Sequence, residues 1–481
     1  MNTEKGKVLV VGAGISGTRS ALDLALLGHR VILIDKAPYM GGTLIQLDRQ
    51  FPNDLCGMCR MLPMAERNEA QQYCLRRGIS HENIETLLST ELVALEGEPG
   101  QFRATLHRKP IWVDQNRCIG CGACSRVCPV KIPDTFNAGL TLRKAIYKPV
   151  PYSEPHGYVL DTEACTRCGE CISVCPTDAI DLTGQRQTMQ VDVNAVILAT
   201  GVKYHNPASG KSAGSYALPN VVSSVEFERL VSQAGPNSGK LLRPSDGQPV
   251  ERAAWFQCIG SRDHQVGADY CSCACCMYSI KEPVLARALN GGDVAATIFY
   301  MDMRTFGKNF QRYRDLAENE HKIRFQRSRV HSVVPADDAG GLRVQYVDDR
   351  GEMVEEVYDL IVLATGQSPC AGTESLAKAT GITLNPWGFF QALPFSKTRT
   401  SREGVLAGGS FGGLHDISES VIQASAAALA ASSFLHAPKN RHDDIHRPRP
   451  AFSDVSWEPP EVDVVISGCG DALSTSIDLS E

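Results

Sequence analysis

Eight cysteines fall in two copies of a single spacing, and that spacing limits the possible folds more than any other feature of the chain. Cys118-Ile-Gly-Cys-Gly-Ala-Cys-Ser-Arg-Val-Cys-Pro129 is followed by Cys165-Thr-Arg-Cys-Gly-Glu-Cys-Ile-Ser-Val-Cys-Pro176, each reading C-x2-C-x2-C-x3-C-P. Three thiolates so close together wrap one segment around three corners of an iron–sulfur cube. The fourth, carried off by its proline, reaches the neighbouring cube. The pattern predicts two [4Fe–4S] clusters with exchanged ligands. Cys118, Cys121, Cys124 and Cys175 are expected on one, and Cys165, Cys168, Cys171 and Cys128 on the other. Gly120, Gly122 and Gly169 keep the backbone near the sulfurs with its N–H groups free. Zinc is the rival, but it takes four ligands per ion and has no use for a repeated C-x3-C-P.

The chain has 18 cysteines in 481 residues. Most sit in tight groups at 56/59, 118–128, 165–175 and 258–276. In a reducing compartment such groups are metal ligands rather than disulfides. Cys74 and Cys370 stand apart and are expected as ordinary buried thiols. The formal net charge of −6 gives no reason to expect nucleic acid. No apolar run is long enough to span a bilayer, and the N-terminal residues lack the features of a secretory signal. The expectation is a cytoplasmic protein that does not itself cross a membrane. Its length suggests two or three domains.

The chain opens on a nucleotide signal. Lys7-Val-Leu-Val-Val11 is a strand, Gly12-Ala-Gly14-Ile-Ser-Gly17 a turn, Thr18 to Leu27 a helix, and His29 to Asp35 a second strand ending in an acid. Gly12 permits the turn, Gly14 lets a pyrophosphate approach, and Gly17 lets the helix pack on the strand. The helix N-terminus faces the phosphates and Asp35 takes the ribose hydroxyls. Two later strands, Val191–Gly201 and Tyr358–Gly366, both end in Ala-Thr-Gly. This doubling is typical of two-dinucleotide-domain flavoproteins that resemble thioredoxin reductase, and it favours FAD over an NAD-only domain. Gly404-Val-Leu-Ala-Gly-Gly-Ser410 is similar to their second flavin motif, with Ser410 in place of the usual acid and Asp416 as the substitute. A long Ala-rich helix is expected from Val421 to Phe434. The flavin contacts expected are Gly12, Gly14, Ile15, Ser16, Gly17, Asp35, Lys36, Gly41, Gly42, Thr43, Thr200, Gly201, Thr365, Gly366, Gly409, Asp416 and Ile417.

The predicted fold is α/β, a thioredoxin reductase-like pair of dinucleotide-binding domains with an inserted two-cluster ferredoxin domain of the α+β kind. Residues 1–106, 184–218 and 373–435 form the FAD domain and 107–183 the insert. Residues 219–372 form the second dinucleotide-like domain and 436–481 an extended arm. The stretch from Val130 to Asp161 is longer than a plain bacterial ferredoxin loop. Residues 205–218 read as a surface loop.

The second nucleotide site is missing its glycines. The strand Ala253–Ile259 runs into Cys258-Ile-Gly-Ser-Arg-Asp-His and then Tyr270-Cys-Ser-Cys-Ala-Cys-Cys-Met-Tyr-Ser-Ile-Lys281. Without phosphate-cradling glycines an NAD(P)H site is not expected here. The combination of Q-C-I-G-S-R with Y-C-S-x2-C-C-M-Y-x2-K resembles the A-subunit of heterodisulfide reductase. So do Arg143-Lys-Ala-Ile-Tyr147, the segment 299–308 and the motif at 416–428. The resemblance runs from 7 to 435.

That resemblance implies a third [4Fe–4S] cluster on Cys258, Cys271, Cys275 and Cys276, with Cys273 as a surplus thiol. It also implies Lys281 beside the reactive edge of the flavin as the catalytic residue; the plain alternative is a lysine on a helix surface. Cys56 and Cys59 match a further C-x2-C stretch of the family. They are expected at another cluster with Cys469, or a cysteine of another chain, the rival being two buried thiols. The residues before it, His436 to Pro460, read as a linker arm. The activity implied is electron transfer within a larger complex, with a dimer among its expected forms, as flavin-based bifurcation or confurcation coupling ferredoxin to a disulfide in anaerobic metabolism. The partners implied are the B and C subunits of heterodisulfide reductase, a hydrogenase or dehydrogenase adaptor, and ferredoxin. Relay subunits of quinone-interacting or aromatic-reducing complexes share the same motifs. An NAD(P)H-dependent oxidoreductase like the small subunit of glutamate synthase shares FAD and the clusters. A scaffold that only wires partners together is the remaining alternative.

Overall fold

In the computed structural model, residues 6–51, 81–150, 155, 157–207, 217–289, 291, 293–336 and 340–435 are described. The chain divides into two compact units, 1–437 and 438–481, and the second lies outside the described residues. The first strand, β1 (Lys7–Val11), is buried throughout after its lysine. A strand covered on both faces reads as a continuous apolar run, as this one does. Helix α1 (Ile15–Leu26) carries the chain across to β2 (Arg30–Ile34), and β3 (Ile84–Leu87) pairs parallel to it. The hairpin β4 (Thr90–Glu98) and β5 (Gln101–Arg108) follows.

The insert holds α2 (Ala123–Val127), the hairpin β6 (Ile132–Pro133) with β7 (Leu142–Arg143), the hairpin β8 (Ile146–Tyr147) with β9 (Val159–Leu160), and α3 (Glu170–Ser173). Its small core contains Val113, Cys124, Cys128, Ala145, Ile146, Cys171 and Ile180. The chain then re-enters as β10 (Gln187–Val193), antiparallel to β5 with Gln187 opposite Arg108. The insert leaves from the end of β5 and returns at the start of the neighbouring strand β10, so the host fold tolerates it.

The expected strand through 191–201 is two strands. β10 belongs to the antiparallel sheet β10-β5-β4, while β11 (Ala195–Leu198) belongs to the parallel sheet β22-β11-β1-β2-β3, in which β22 is Val405–Ala407. Asn194 makes the corner. Its N–H donates to the Lys7 carbonyl (2.7 Å), its Oδ1 accepts from the Lys7 N–H (2.7 Å), and its Nδ2 donates to the Gly100 carbonyl (2.8 Å). β12 (Val202–Tyr204) follows the first Ala-Thr-Gly.

The second half repeats this plan. It comprises β13 (Val221–Ser223), α4 (Ser224–Leu230), β14 (Arg252–Ile259), α5 (Cys275–Leu289), β15 (Ala295–Tyr300), α6 (Phe310–Asn319) and β16 (Arg324–Arg327). Then come β17 (Ser332–Pro335), β18 (Leu342–Val347), β19 (Met353–Tyr358), β20 (Leu360–Thr365) and β21 (Gln367–Pro369). The parallel sheet runs β13-β20-β14-β15-β16 and the antiparallel one β17-β18-β19. Asp359 makes the same corner as Asn194. Its N–H donates to the Arg252 carbonyl (2.8 Å) and its Oδ2 accepts from the Arg252 (2.8 Å) and Glu251 (2.9 Å) N–H groups. The strands after the two Ala-Thr-Gly motifs, β12 and β21, pair antiparallel and link the halves. Helix α7 (Thr373–Thr380), β22 (Val405–Ala407) and α8 (Ile417–Ser432) return to the first half, where α8 packs along α1.

Candidate cofactor sites

The dinucleotide cradle is built from close backbone approaches. A Cβ on Gly17 would stand 1.7 Å from the Gly12 carbonyl oxygen, so the first turn of α1 packs directly on the preceding loop. Gly42, at φ +56°, would place a Cβ 2.9 Å from the Gly14 Cα. The Gly41 N–H donates to the Ala13 carbonyl (2.9 Å), and Thr43 lies in the 3₁₀ turn Gly42–Gln46 that follows. Gly409, at φ +66°, would collide with Ser16 Oγ at 2.0 Å. Three sequence-distant segments thus converge on the start of α1. That helix begins at Gly14 with no side-chain cap, leaving amides open to an anion.

Asp35 closes β2. Its Oδ2 accepts from the Ala13 N–H (2.7 Å) and its Oδ1 from the Ala37 N–H (2.8 Å). A carboxylate has about four acceptor positions, so capacity remains for a ribose hydroxyl. Burial raises its pKa against those two amides. Lys36 is exposed and donates to the Ala371 carbonyl (3.4 Å). Thr200 Oγ1 is buried without a partner, as a hydroxyl awaiting a bound group would be. Gly201 takes φ +69°. Cys370 is half-buried, not a core thiol, and donates to the Thr200 carbonyl at 3.2 Å.

Ile15 and Ile417 pack against the core between α1 and α8. Asp416 is the N-cap of α8, accepting the Glu419 N–H at 2.7 Å, so the helix starts four residues before Val421. A carboxylate engaged in this way stabilises the helix end.

In the insert, Cys118, Cys121, Cys124 and Cys175 line one open cavity together with Tyr158. Cys128, Cys165, Cys168 and Cys171 line a second with Val130, Ile146 and Leu160. Each long motif contributes three cysteines to one cavity and its fourth to the other. Helices α2 and α3 both start from a left-handed glycine, Gly122 (φ +76°) and Gly169 (φ +80°). Amides point at sulfur: Tyr158 N–H to Cys118 (3.4 Å), Arg167 N–H to Cys165 (3.3 Å) and Ala179 N–H to Cys175 (3.3 Å). Burial and neighbouring thiols push Cys124 up to about 11. Among the described residues, no three His, Cys, Asp or Glu side chains converge as a single metal ion requires. The thiols instead stand around spaces, as the donor set of a multi-iron cube does.

In the second half, helix α5 begins at Cys275, where the phosphate-facing helix of a dinucleotide domain would begin. Cys275 and Cys276 occupy its first turn, where their mutual hydrogen bond lowers the Cys276 thiol and, together with burial, raises that of Cys275. Cys258 and Cys273 take left-handed backbone, at φ +62° and +56°. The Cys273 N–H donates to Cys271 Sγ (3.4 Å) and the Cys276 thiol to Gln257 Oε1 (3.5 Å). Cys258, Cys271, Cys275 and Cys276 are close enough to perturb one another's titration. Arg262 and Arg304 both pair with Asp302, and Arg304 helps hold the Cys271 thiol down after the larger effect of Cys273. Beside them Thr365 Oγ1 and Gln367 Oε1 are buried without partners. Gly366 packs on this loop, where a Cβ would meet the Gly260 carbonyl oxygen at 2.4 Å.

Lys281 is 2% exposed, which removes the surface alternative. Its ammonium pairs with Glu228 and donates to the Arg49 carbonyl at 2.8 Å. Glu228 also accepts from the Asp48 N–H (2.8 Å). Glu282, equally buried, accepts from Trp255 Nε1 (2.9 Å) and Ser224 Oγ (3.1 Å), and burial raises its pKa well above the carboxylate range. Glu228 and Glu282 carried no sequence signal: a buried carboxylate has the same letter as a solvated one. Cys56, Cys59, Cys74 and Cys469 lie outside the described residues.

A family model described as an FAD binding domain matches residues 7–45, and two described as 4Fe-4S dicluster domains match 110–180 and 157–209. The second iron-sulfur A-subunit of CoB--CoM heterodisulfide reductase in Methanopyrus kandleri is 38% identical over 471 residues, covering 96% of this chain and 68% of that protein. The chain belongs to the heterodisulfide reductase A-subunit family. The A-subunit of the H(2)/formate:CoB-CoM heterodisulfide,ferredoxin reductase of Methanococcus maripaludis is 37% identical, over 88% of this chain and 63% of that one. A heterodisulfide reductase A-subunit-like protein of Archaeoglobus profundus is 35% identical, over 96% and 69%. The chain thus spans about two thirds of the length of these relatives. Among solved structures, a thioredoxin reductase of T. acidophilum aligns over 89% of this chain and 98% of its own, at 15% identity and a TM-score of 0.46. This member of the A-subunit family is an oxidoreductase component that binds FAD and [4Fe–4S] clusters. Its fold is the two-dinucleotide-domain flavoprotein fold with the cluster domain inserted. Among the described residues no helix is long and apolar enough to cross a membrane.

Proposed function

We propose that this chain is the electron-relay component of a multi-subunit complex that couples ferredoxin to a disulfide or related acceptor by flavin-based bifurcation or confurcation. The names of its relatives, which join heterodisulfide, ferredoxin and hydrogen or formate, support a complex of this kind. In this proposal Cys118, Cys121, Cys124 and Cys175 hold one cube and Cys128, Cys165, Cys168 and Cys171 a second. A third sits on Cys258, Cys271, Cys275 and Cys276, at the helix start where the pyridine nucleotide would otherwise bind. FAD, when bound, supplies the exchange between paired and single electrons. The chain's own residues do the rest. The Gly14–Gly42 approach and the uncapped start of α1 receive the pyrophosphate. Asp35 takes the ribose. Lys281, fixed by Glu228 and the Arg49 carbonyl, presents a buried ammonium that favours negative charge on the ring.

The observation that carries the proposal is the exchange of cysteines between two cavities in a domain spliced into the flavin half. Anoxic purification with flavin and iron counted tests it. The expected result is one FAD and about twelve irons per chain, four for each cube. Fewer than about eight, with thiols free, overturns it. Identification of co-purifying chains then separates disulfide-reducing from quinone- or aromatic-reducing partners.

A further inference from the structure

The insert segment that is longer than a ferredoxin loop needs forms a finger between β6 and β7. Its tip is closed on itself. The Asp134 N–H donates to the Thr141 carbonyl (2.8 Å), the Phe136 N–H to Asp134 Oδ1 (3.0 Å), and Asn137 Nδ2 to Asp134 Oδ2 (3.2 Å) and Thr141 Oγ1 (3.1 Å). Phe136 packs in a small apolar cluster with Ile45 and Val150, both fully buried. Gln46 Nε2 donates to the carbonyls of Thr135 (3.0 Å) and Phe136 (3.1 Å). Ile45 and Gln46 belong to the turn that starts at Gly42, the glycine that meets Gly14 in the cradle.

Arg229, near the end of α4 in the second half, reaches the same point. It is fully buried. Its Nε donates to Asn137 Oδ1 (3.0 Å), its Nη1 to the Gln46 carbonyl (3.1 Å), and its guanidinium lies 4.4 Å from the Phe136 ring centroid. Three units therefore meet at one planar, directional group. Burying a guanidinium is costly unless its donors are engaged. Here Nε and Nη1 are bonded from two different units, and a rigid fork held in this way specifies their relative placement as an apolar contact does not.

We propose that Arg229 is a positioning residue that holds the inserted cluster domain at a set distance and angle from the flavin site, with the finger tip Phe136–Asn137 as its receptor. This rests on the relay function proposed above. Electron tunnelling falls steeply with distance, so the joint governs transfer between flavin and insert without touching either. The test uses the full-length holoprotein, purified without oxygen, as Arg229→Gln and Asn137→Ala. Flavin and iron are counted first. Both variants are expected to hold the wild-type amounts and the wild-type midpoint potentials. After rapid flavin reduction, electron arrival at the insert clusters is expected to slow several-fold, because tunnelling falls exponentially with the distance the joint sets. The magnetic interaction between flavin and insert clusters weakens in parallel, and hydrogen exchange across 134–141 speeds up. Should Arg229→Gln fail to fold, Asn137→Ala decides, because it leaves the arginine and the core in place. Wild-type transfer rates and wild-type magnetic coupling in the folded variants overturn the proposal. Absence of flavin or iron from the wild-type protein overturns the relay function instead.

Discussion

At the scale of single residues, the cradle depends on atoms that are missing. Gly409→Ala adds a Cβ 2.0 Å from Ser16 Oγ at a left-handed position. The backbone cost alone is about 1–2 kcal/mol, so flavin affinity is expected to fall by about tenfold while the insert keeps its iron. Flavin release against iron content reads this directly. Lys281→Met leaves Glu228 buried without its ammonium and is expected to cost about 3–5 kcal/mol of stability. Adding Glu228→Gln should return much of that, as seen in denaturant midpoints.

Asp161 offers a pH test. Burial acts against its charge, but Arg143 (2.8 Å) and the Ala164 and Glu163 amides hold its pKa below the usual value. A depressed carboxylate contributes stability above its unfolded pKa of about 3.9 and loses it as pH falls through the folded value. Asp161→Asn is therefore expected to cost about 1 kcal/mol near neutrality, discounted for partial exposure. Melting curves should show that deficit closing once the pH drops below about 3.9.

At the scale of elements, the informative unit is the motif pair. If the ligand sets are exchanged as proposed, Cys118→Ser and Cys175→Ser extinguish the same cluster signal. Cys128→Ser and Cys165→Ser extinguish the other. Electron paramagnetic resonance of the four variants checks this, and signals that group by sequence motif instead of by cavity would refute the exchange. Helix α5 makes the companion case. Its first turn carries Cys275 and Cys276 where a glycine loop would cradle phosphate, so NADPH is expected to leave the flavin colour unchanged in the isolated chain. Bleaching within one turnover would restore a pyridine-nucleotide site.

At the scale of the whole molecule, the local signals were strong wherever chemistry demands a residue type at a spacing. Cysteine motifs, the glycine turn after β1 and the paired Ala-Thr-Gly strands have few alternative explanations. Other features stayed invisible. Asn194 and Asp359 read as strand residues, yet each turns the chain between sheets, because a side chain that mimics a backbone pair is recognised only when its partner strand is present. Asp416, expected as a flavin contact, is also the N-cap of α8, a role the sequence did not announce. Glu228, Glu282 and Arg229 carried no signal in the sequence and are buried.

By itself, the sequence determined which groups this protein can carry, since thiolate number, glycine geometry and strand–turn–helix order are local demands. Only the tertiary structure decided how they are brought together: which carboxylate holds Lys281, and which arginine joins the insert to the body. Those pairings link residues far apart in the chain, and their energies come from burial and direction, neither of which exists before the chain has folded.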